Sequence, residues 1–283
     1  MPGKRIFITG GASGLGKAIA LKYAGAGYRV CIGDVNQVRG AETAAELTAS
    51  GCDAFFIRCD VTRLEDLLAV KDEIINRWQG VDLVVNNAGI AGTAGPIDQV
   101  GVDDWQQVLD INLLGVVRGC QVFTPLFKQQ GSGFFVNIAS AAGLINAPQM
   151  SSYNVSKAGV IALSETLKHE LAPFNIGICV ACPAFFQTNL TESMKSTIDG
   201  LPARVDRLMA HSRINAADIA EDIYAAVQNN SFWVLSHKAE RRLWLIKRFL
   251  PFVFDALMKK KIAKLFTPPR AANNTDSLPE KTG

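Results

Sequence analysis

The segment RIFITGGASGLGKAIA, residues 5–20, carries the strongest indication of the fold of this chain. An apolar run typical of a buried strand leads directly into a glycine-rich turn and then into a helix-like segment. Gly10, Gly14 and Gly16 permit a tight turn and a close approach of the backbone to a phosphate, and the N-terminus of the following helix attracts negative charge. The spacing is GxxxGxG rather than GxGxxG, so the segment taken alone fits an ordinary glycine-rich turn equally well.

Apolar strand-like runs alternate with amphipathic helix-like segments along most of the chain. The predicted strands cover residues 5–9, 29–33, 54–58, 82–86, 133–138, 176–181 and 232–235. Apolar strands that alternate with helices predict a mostly parallel sheet with helices on both faces. The predicted fold class is therefore α/β, a Rossmann-type doubly wound parallel sheet of about seven strands, which binds ligands beyond the carboxyl ends of its strands.

Asp34 ends the second predicted strand, 18 residues after Gly16. A carboxylate at that place accepts hydrogen bonds from both hydroxyls of an adenosine ribose and repels a 2′-phosphate. Neither Ser13 nor Val35 supplies a basic group that would attract such a phosphate. The residues therefore favour NAD over NADP, while the sequence GDVN also fits a plain turn.

Polar residues also follow the third and fourth predicted strands. Asp60 is placed to meet the amino edge of an adenine, with Val61 packing beside it. Asn86 and Asn87 precede a small Ala-Gly pair, where an amide can bridge the backbones of neighbouring strands and let the main chain pass close to a cofactor. Each of these residues taken singly also fits an ordinary turn.

Tyr153 and Lys157 stand four residues apart, which places them on one face of a helix. A tyrosine that acts as acid or base near neutrality needs a neighbouring cation to stabilise its phenolate, because a free phenol has a pKa near 10. Ser140 follows the fifth strand and brings a hydroxyl to the same sheet edge. Asn112 is a polar residue inside a long helix-like segment, where a buried amide can kink the helix around a water. Tyr and Lys at this spacing alone also fit a solvated helix face.

Together these residues resemble the short-chain dehydrogenase/reductase (SDR) family over about residues 4–235. The resemblance rests on TGGASGLG at 9–16, Asp34, Asp60 with Val61, NNAG at 86–89, Asn112, Ser140 and YNVSK at 153–157. It implies that Tyr153 is the general acid/base and that Lys157 anchors a ribose and lowers the tyrosine pKa. It also implies that Ser140 polarises the substrate and that Asn112 assists a proton relay. The cofactor-binding residues that follow from it are Gly10, Ser13, Gly14, Leu15, Gly16, Asp34, Asp60, Val61, Asn87, Tyr153, Lys157, Pro183, Phe186 and Thr188.

The loop after the sixth strand departs from the family pattern PGxVxT. Pro183 and Thr188 are kept, and Thr188 is expected to hold the nicotinamide carboxamide. Ala184 replaces a glycine and Phe186 replaces a small aliphatic residue. Alanine is tolerated where φ is negative, so these replacements bear on the local path of the loop more than on the activity.

The family likeness implies that residues 184–213 cover the substrate, and this segment is rich in apolar side chains. An apolar pocket suits a secondary alcohol or ketone on a steroid, lipid or aromatic skeleton. We therefore expect an enzyme, an NAD-dependent oxidoreductase acting on CH–OH groups, assembled as a homodimer or homotetramer. The alternatives are an NADPH-dependent ketone reductase and a non-catalytic dinucleotide-sensing protein. His169, His211 and His237 are isolated, so no metal site is expected.

The distribution of charge and the cysteine content bear on nucleic-acid binding and on cellular location. Residues 1–237 carry 18 basic and 22 acidic side chains, whereas residues 238–270 carry 10 and 2. Nucleic-acid binding is not expected, because the body is mildly acidic and no reader motif is present. Six cysteines lie mostly in apolar runs, Cys179 and Cys182 are interpreted as parts of one buried β-rich run, and the N-terminus has no signal-peptide pattern. These features predict a cytoplasmic protein, with peripheral membrane contact left open.

The segment KAERRLWLIKRFLPFVFDALMKKKIAKLF, residues 238–266, lies beyond the family resemblance. Pro251 predicts a division into two short helices. Alternating basic and apolar residues fit contact with an anionic membrane surface, a cap over the substrate entrance, or packing on a partner subunit. The expected organisation is thus a catalytic domain at 1–237, a basic amphipathic helical extension at 238–270, and a disordered tail at 271–283.

Overall fold

The computed structural model describes the chain from residue 3 to residue 265, with side chains to residue 260. In that part of the chain, strands and helices alternate as predicted. The strands are β1 (Arg5–Thr9), β2 (Arg29–Asp34), β3 (Ala54–Arg58), β4 (Leu83–Asn86), β5 (Gly92–Ala94), β6 (Gly133–Ile138), β7 (Ile176–Ala181), β8 (Met194–Ser196) and β9 (Trp233–Val234). The helices are α1 (Gly14–Gly25), α2 (Gln37–Ala49), α3 (Leu64–Trp78), α4 (Val102–Leu109), α5 (Gly115–Gln130), α6 (Ala141–Ile145), α7 (Ser151–Leu171), α8 (Leu201–Ala210), α9 (Ala216–Gln228), α10 (Lys238–Phe249) and α11 (Pro251–Leu265).

Seven strands form one parallel sheet in the order β3-β2-β1-β4-β6-β7-β9. The strand order runs outward in both directions from the centre, because Ile6 of β1 pairs with Val30 on one side and with Leu83 on the other. The prediction of a doubly wound Rossmann-type sheet is confirmed. The crevice between β1 and β4, where the strand order reverses, is the place at which such sheets bind ligands.

Both faces of the central strand are covered, which explains its uninterrupted apolar sequence. Ile6 and Ile8 belong to a core cluster that includes Ile19 of α1 and Ile219 of α9. Alternate residues of a strand point to opposite faces, and the ring of Phe7 indeed lies 5.4 Å from that of Phe123 in α5. All these side chains are fully buried.

A second, small sheet was not predicted from the sequence. Strand β5 pairs in parallel with β8, with Gly92 opposite Met194 and Ala94 opposite Ser196. Each strand has three residues, too few for a hydrophobic period to be recognised in the sequence. The pair ties the segment after β7 to the segment after β4.

The cysteines are free, and five of the six are buried. Cys179 lies in β7 and Cys182 directly after it, both almost without exposed surface. Burial raises the pKa of each of these two thiols to about 12. The interpretation of this CxxC pair as part of a buried strand is therefore confirmed.

The C-terminal segment forms the two predicted helices, and Pro251 is the first residue of α11. By its internal contacts, the chain divides into two compact units between Arg241 and Arg242. Within residues 3–265 no helix combines the length and the apolarity needed to cross a membrane. The tail predicted at 271–283 lies outside the described residues.

Candidate active site

A cleft of about 450 Å³ opens at the carboxyl ends of the parallel strands. It contains most of the residues that the sequence singled out. Those that line it are Gly10, Ser13, Gly14, Leu15, Asp34, Asp60, Val61, Asn87, Ser140, Tyr153, Lys157, Pro183, Phe186 and Thr188. Gly16 and Asn112 are not part of its lining.

The glycine turn between β1 and α1 forms one wall of the cleft. Gly10 has a φ of +63°, and a Cβ there would lie 2.9 Å from the Cα of Ala88. A Cβ on Gly16 would overlap the carbonyl oxygen of Gly10, so this glycine acts by close packing rather than by facing the cleft. The side chain of Ser13 makes no capping bond, which leaves first-turn N–H groups of α1 available to an anion.

Asp34 and Asp60 lie at neighbouring strand ends on the β2 and β3 side of the cleft. The two carboxylate oxygens of Asp34 accept hydrogen bonds from the backbone N–H groups of Ala12 and Asn36, at 3.1 and 2.9 Å. These bonds fix the carboxylate at the cleft wall. Oδ1 of Asp60 accepts bonds from both the N–H and the hydroxyl of Thr62.

The two adjacent asparagines after β4 face different surroundings. Nδ2 of Asn87 donates to the carbonyl oxygens of Thr9 and Gly10, at 2.9 and 3.0 Å, and so bridges β4 to the glycine turn. Asn86 is buried, and its amide donates to Asn137 of β6. The expected bridge between strands is thus made at the cleft by Asn87, while Asn86 serves the interior of the sheet.

Ser140, Tyr153 and Lys157 come together on the β6 and β7 side of the cleft. Tyr153 and Lys157 lie on α7, and the Nζ atom of Lys157 is 5.7 Å from the centre of the Tyr153 ring. Burial raises the pKa of the Tyr153 hydroxyl, and a hydrogen bond with Ser140 opposes that rise. The Ser140 hydroxyl, which has one proton to donate, is also within hydrogen-bond distance of the carbonyl oxygen of Pro183, at 3.3 Å. This network fixes a phenol and a hydroxyl next to each other at the cleft surface.

Lys157 is buried, which is rare for a lysine. Its Nζ atom donates to the carbonyl oxygen of Ile138 at 2.9 Å. Burial lowers the pKa of the Lys157 ammonium to about 8, although the nearby Cys182 acts in the other direction. Lys157 therefore carries its positive charge at neutral pH in surroundings that disfavour it.

Asn112 lies in a π-helical turn, Asp110–Leu114, that interrupts the long helical segment between α4 and α5. Such bulges are frequent at functional sites. Its side chain accepts a bond from the N–H of Ile90 at 2.8 Å and donates to the carbonyl oxygen of the same residue at 2.9 Å. A Cβ on Gly89 would lie 3.1 Å from the Asn112 oxygen and 3.4 Å from Nζ of Lys157. The Asn112 amide thus fixes the backbone at Ile90, next to Gly89, which lies between Asn112 and Lys157.

The loop after β7 keeps its place at the cleft despite its unusual sequence. The backbone of Ala184 lies outside the left-handed region, so alanine is unstrained there. Its N–H donates to Nδ1 of His237, whose other ring nitrogen contacts the carbonyl oxygen of Phe185. Thr188 caps the following 3-10 turn by accepting a bond from the N–H of Leu190. His237 is therefore a structural residue that supports this loop.

Several lining residues were missed from the sequence. Arg39 of α2 and Glu192 of the 3-10 turn Asn189–Ser193 face each other across the cleft as an ion pair at 2.9 Å. Ile90 and Ile111 add apolar surface. A cation five residues after Asp34 was a usable signal for Arg39, whereas Glu192 depends on how the loop folds back.

The cleft fits a bound dinucleotide on three independent observations. The glycine turn and the uncapped first turn of α1 form a cradle for phosphates. A fixed carboxylate, Asp34, stands on one side of the crevice, and the Ser140, Tyr153 and Lys157 group stands on the other. The crevice between β1 and β4 connects the two. Among the described side chains, no group of three or more His, Cys, Asp or Glu is arranged to hold a metal ion.

Comparison with known proteins identifies the class of protein that this fold and cleft represent. The profile of the short chain dehydrogenase family matches residues 4–199. The chain belongs to the short-chain dehydrogenase/reductase family of oxidoreductases. It is 31% identical over 196 residues to the 3-oxoacyl-[acyl-carrier-protein] reductase FabG of Staphylococcus aureus, covering 69% of this chain and 79% of that protein. It is also 31% identical over 232 residues to "Probable oxidoreductase EphD" of Mycobacterium tuberculosis. That match covers 79% of this chain but only 39% of the length of EphD.

Solved structures agree with this assignment. A short-chain dehydrogenase/reductase from Burkholderia phymatum, determined in complex with NAD, superposes with a TM-score of 0.84 at 30% identity, over 89% of this chain and 95% of that one. An NAD⁺-bound xylitol dehydrogenase superposes with a TM-score of 0.73 at 26% identity, over 82% and 96%. The chain therefore has the dinucleotide-binding Rossmann fold of an SDR oxidoreductase.

Proposed function

We propose that this protein is an NAD-dependent dehydrogenase/reductase that interconverts an apolar secondary alcohol and its ketone, with Tyr153 as general acid/base. The observation that carries the proposal is the convergence of Ser140, Tyr153 and Lys157 on one side of a cleft whose other side holds Asp34. A dinucleotide bound along that crevice supplies or accepts the hydride.

Residues of the cleft would bind the substrate oxygen and transfer its proton. Ser140 hydrogen-bonds the substrate oxygen and holds it beside the Tyr153 hydroxyl. In the direction of oxidation Tyr153, as phenolate, takes the proton of the substrate hydroxyl; in reduction it returns a proton to the carbonyl oxygen. Because burial raises the pKa of the Tyr153 hydroxyl, formation of the phenolate requires positive charge nearby, which the Lys157 ammonium would supply. Lys157 would also hold the nicotinamide ribose.

Asn112 and Thr188 have supporting roles in this proposal. Asn112 positions the backbone at Ile90 and, as the family resemblance implies, assists the relay of the proton from Lys157. Thr188 lines the cleft and, as the family resemblance implies, would hold the nicotinamide carboxamide. The glycine turn and Asp34 would bind the pyrophosphate and the adenosine ribose.

The substrate class is argued from the apolar residues that line the same cleft as Tyr153. Phe186, Leu190 and Met209 line the cleft from the segment after β7, and Ile90 and Ile111 line it from the opposite segments. In this part of the cleft wall apolar side chains outnumber charged ones, which favours a hydrophobic skeleton of the steroid, lipid or aromatic kind.

NAD is favoured over NADP by the charges at the adenosine end. The carboxylate of Asp34 is fixed by two backbone donors and repels a 2′-phosphate. A second candidate, an NADPH-dependent ketone reductase, is favoured by one observation, the presence of Arg39 in the same wall. Because the guanidinium of Arg39 is paired with Glu192, we propose NAD as the physiological cofactor.

The decisive experiment combines cofactor binding with turnover. Hydrophobic secondary alcohols are screened with NAD and with NADP, and Tyr153→Phe is compared with the wild type. We expect Tyr153→Phe to lose turnover by at least about 10³-fold, since a general acid/base contributes about 10²–10⁴-fold and the phenolate is lost entirely. NADH binding, followed by fluorescence, should stay within about twofold of the wild type.

Tyr224→Phe is the matched control, because Tyr224 lies on α9 and is absent from the cleft lining. Substantial turnover by Tyr153→Phe would exclude Tyr153 as the acid/base. NADH binding without turnover of any alcohol or ketone would favour the non-catalytic dinucleotide-sensing protein.

We propose two further properties, the cellular compartment and the oligomeric state. The six free cysteines are consistent with a reducing compartment, the cytoplasm. A homodimer or homotetramer is proposed from family membership, and light scattering of the purified chain measures it directly.

A further inference from the structure

The joint between α10 and α11 exposes five consecutive apolar residues, FLPFV, here named the junction segment (residues 249–253). Phe249 and Phe252 leave 69% and 71% of their surface exposed. Leu250, Pro251 and Val253 are exposed as well. Large apolar side chains exposed one after another mark an interaction surface far more often than scattered single residues do.

The exposed apolar surface continues from the junction segment along both helices. Leu245 is exposed one turn before Phe249 on α10, and Leu257 is exposed one turn after Val253 on α11. On α11 the residues Phe254 and Met258 form a separate, more buried stripe. Helix α11 therefore carries an apolar stripe that is already covered and a second that lacks a partner among the described residues.

Cations surround this apolar surface on both sides in the sequence. Six exposed basic residues belong to it: Lys238, Arg241, Arg242, Arg248, Lys259 and Lys260. Asp255 and Glu240 are the acidic residues of the same stretch, and residues 238–270 carry 10 basic against 2 acidic side chains. Such a surface attracts a negatively charged partner and repels a second copy of itself.

We propose that the junction segment inserts into the interface of an anionic lipid bilayer, with the surrounding lysines and arginines on the headgroups. Exposed aromatic and aliphatic side chains framed by cations are the features that place a helical segment in that interface. The basic residues attract the segment to the anionic lipid surface, and this attraction acts within about a Debye length. Once the segment is that close, its apolar side chains can insert between the headgroups. The proposal concerns the helical extension and is independent of the function proposed for the cleft.

The test uses sedimentation of the full chain with vesicles of phosphatidylcholine alone and of phosphatidylcholine with phosphatidylserine. We expect binding to the phosphatidylserine vesicles that weakens as salt is raised. Phe249→Gln with Phe252→Gln should lower the bound fraction relative to free protein by at least about tenfold. Lys259→Gln with Lys260→Gln should lower it by about fivefold for each charge.

A matched control comes from the catalytic body. Ile97 and Val102 are 66% and 70% exposed, so Ile97→Gln with Val102→Gln removes a comparable apolar surface elsewhere. This variant should bind vesicles like the wild type. Circular dichroism and NADH binding check that every variant is folded.

Three results would overturn the proposal. The first is a wild-type chain that stays in the supernatant with phosphatidylserine vesicles. The second is a Phe249→Gln, Phe252→Gln variant that sediments like the wild type. The third is a stable dimer without lipid binding that this variant converts to monomers, because it assigns the junction segment to contact with a second copy. Failure of catalysis affects none of these measurements.

Discussion

The guanidinium of Arg39 and the carboxylate of Glu192 meet at 2.9 Å and join two walls of the cleft that are 153 residues apart in the sequence. Arg39 belongs to α2, beside Asp34, and Glu192 belongs to the 3-10 turn that follows the loop after β7. Glu192 also accepts a hydrogen bond from Asn189. The pair neutralises a cation that interacts with Asp34, and it connects the proposed adenosine end of the cleft to the segment expected to cover the substrate.

Breaking this pair should change the preference between the two dinucleotides. In Glu192→Gln the charge of Arg39 is no longer neutralised, and we expect the Kd of NADPH to fall severalfold while that of NADH changes little. The gain should shrink as salt is raised, because the residues are exposed. Fluorescence titration with both reduced cofactors measures it. Glu73→Gln, which breaks an exposed pair with Arg77 away from the cleft, is the control.

Lys157 should make the stability of the fold depend on pH in the alkaline range. Burial lowers its pKa from 10.5 to about 8 in the folded protein, so between these values the unfolded chain binds more protons. Rising pH therefore favours the folded state in this window. The unfolding free energy of the wild type, relative to Lys157→Met, should increase by up to about 1.4 kcal/mol per pH unit there.

Urea unfolding at several pH values measures this difference. The exposed Lys168 lies on the same helix and provides the control substitution, Lys168→Met. A difference between wild type and Lys157→Met that stays flat between pH 8 and 10.5 would contradict the lowered pKa.

Gly16→Ala should damage both the fold and the binding of the dinucleotide. A Cβ at this position overlaps the carbonyl oxygen of Gly10 and the side-chain amide of Asn87, so α1 has to move away from the glycine turn. We expect a loss of about 1–3 kcal/mol in unfolding free energy and a clearly weaker NADH affinity. Gly25→Ala, in the last turn of the same helix with nothing within 4 Å of the new Cβ, should be neutral or stabilising. Equal effects of the two substitutions would refute the packing argument.

Asn87→Asp should separate the hydrogen-bonding role of this side chain from its size. The substitution is isosteric but removes the donors to the carbonyl oxygens of Thr9 and Gly10 and places a negative charge beside them. We expect a loss of about 1–3 kcal/mol in unfolding free energy, together with weaker NADH binding. Thermal unfolding and fluorescence titration provide the measurements. Asn175→Asp, at an exposed amide that donates to Gly131, should cost much less.

The order of the secondary structure could be predicted because the local signals were strong. The strands β1, β3, β6 and β7 have the bounds predicted from the sequence, at 5–9, 54–58, 133–138 and 176–181. The last strand is shorter than the predicted residues 232–235 because only Trp233 and Val234 pair with β7. Edge strands are held on one side only, so the apolar pattern overestimates their length.

The helical segment around Asn112 is interrupted by a π-helical turn, which was not predicted from the sequence. The apolar pattern of residues 103–129 is typical of one long helix with a polar residue in it. The Asn112 amide makes hydrogen bonds with both the N–H and the carbonyl oxygen of Ile90, and the helix forms a π turn at Asn112. The position of Asn112 in an apolar pattern indicated an irregularity in the helix, but its hydrogen-bond partner, Ile90, could not be predicted from the sequence.

The order of strands and helices, the parallel sheet and the polar residues at its edge could all be predicted from the sequence alone. This was possible because each of these depends on residues within a few positions of one another. The tertiary structure decided which side chains meet: Arg39 with Glu192, Asn112 with Ile90, and β5 with β8. These contacts join segments separated by 22 to 153 residues, and no local pattern encodes the path that brings such segments together.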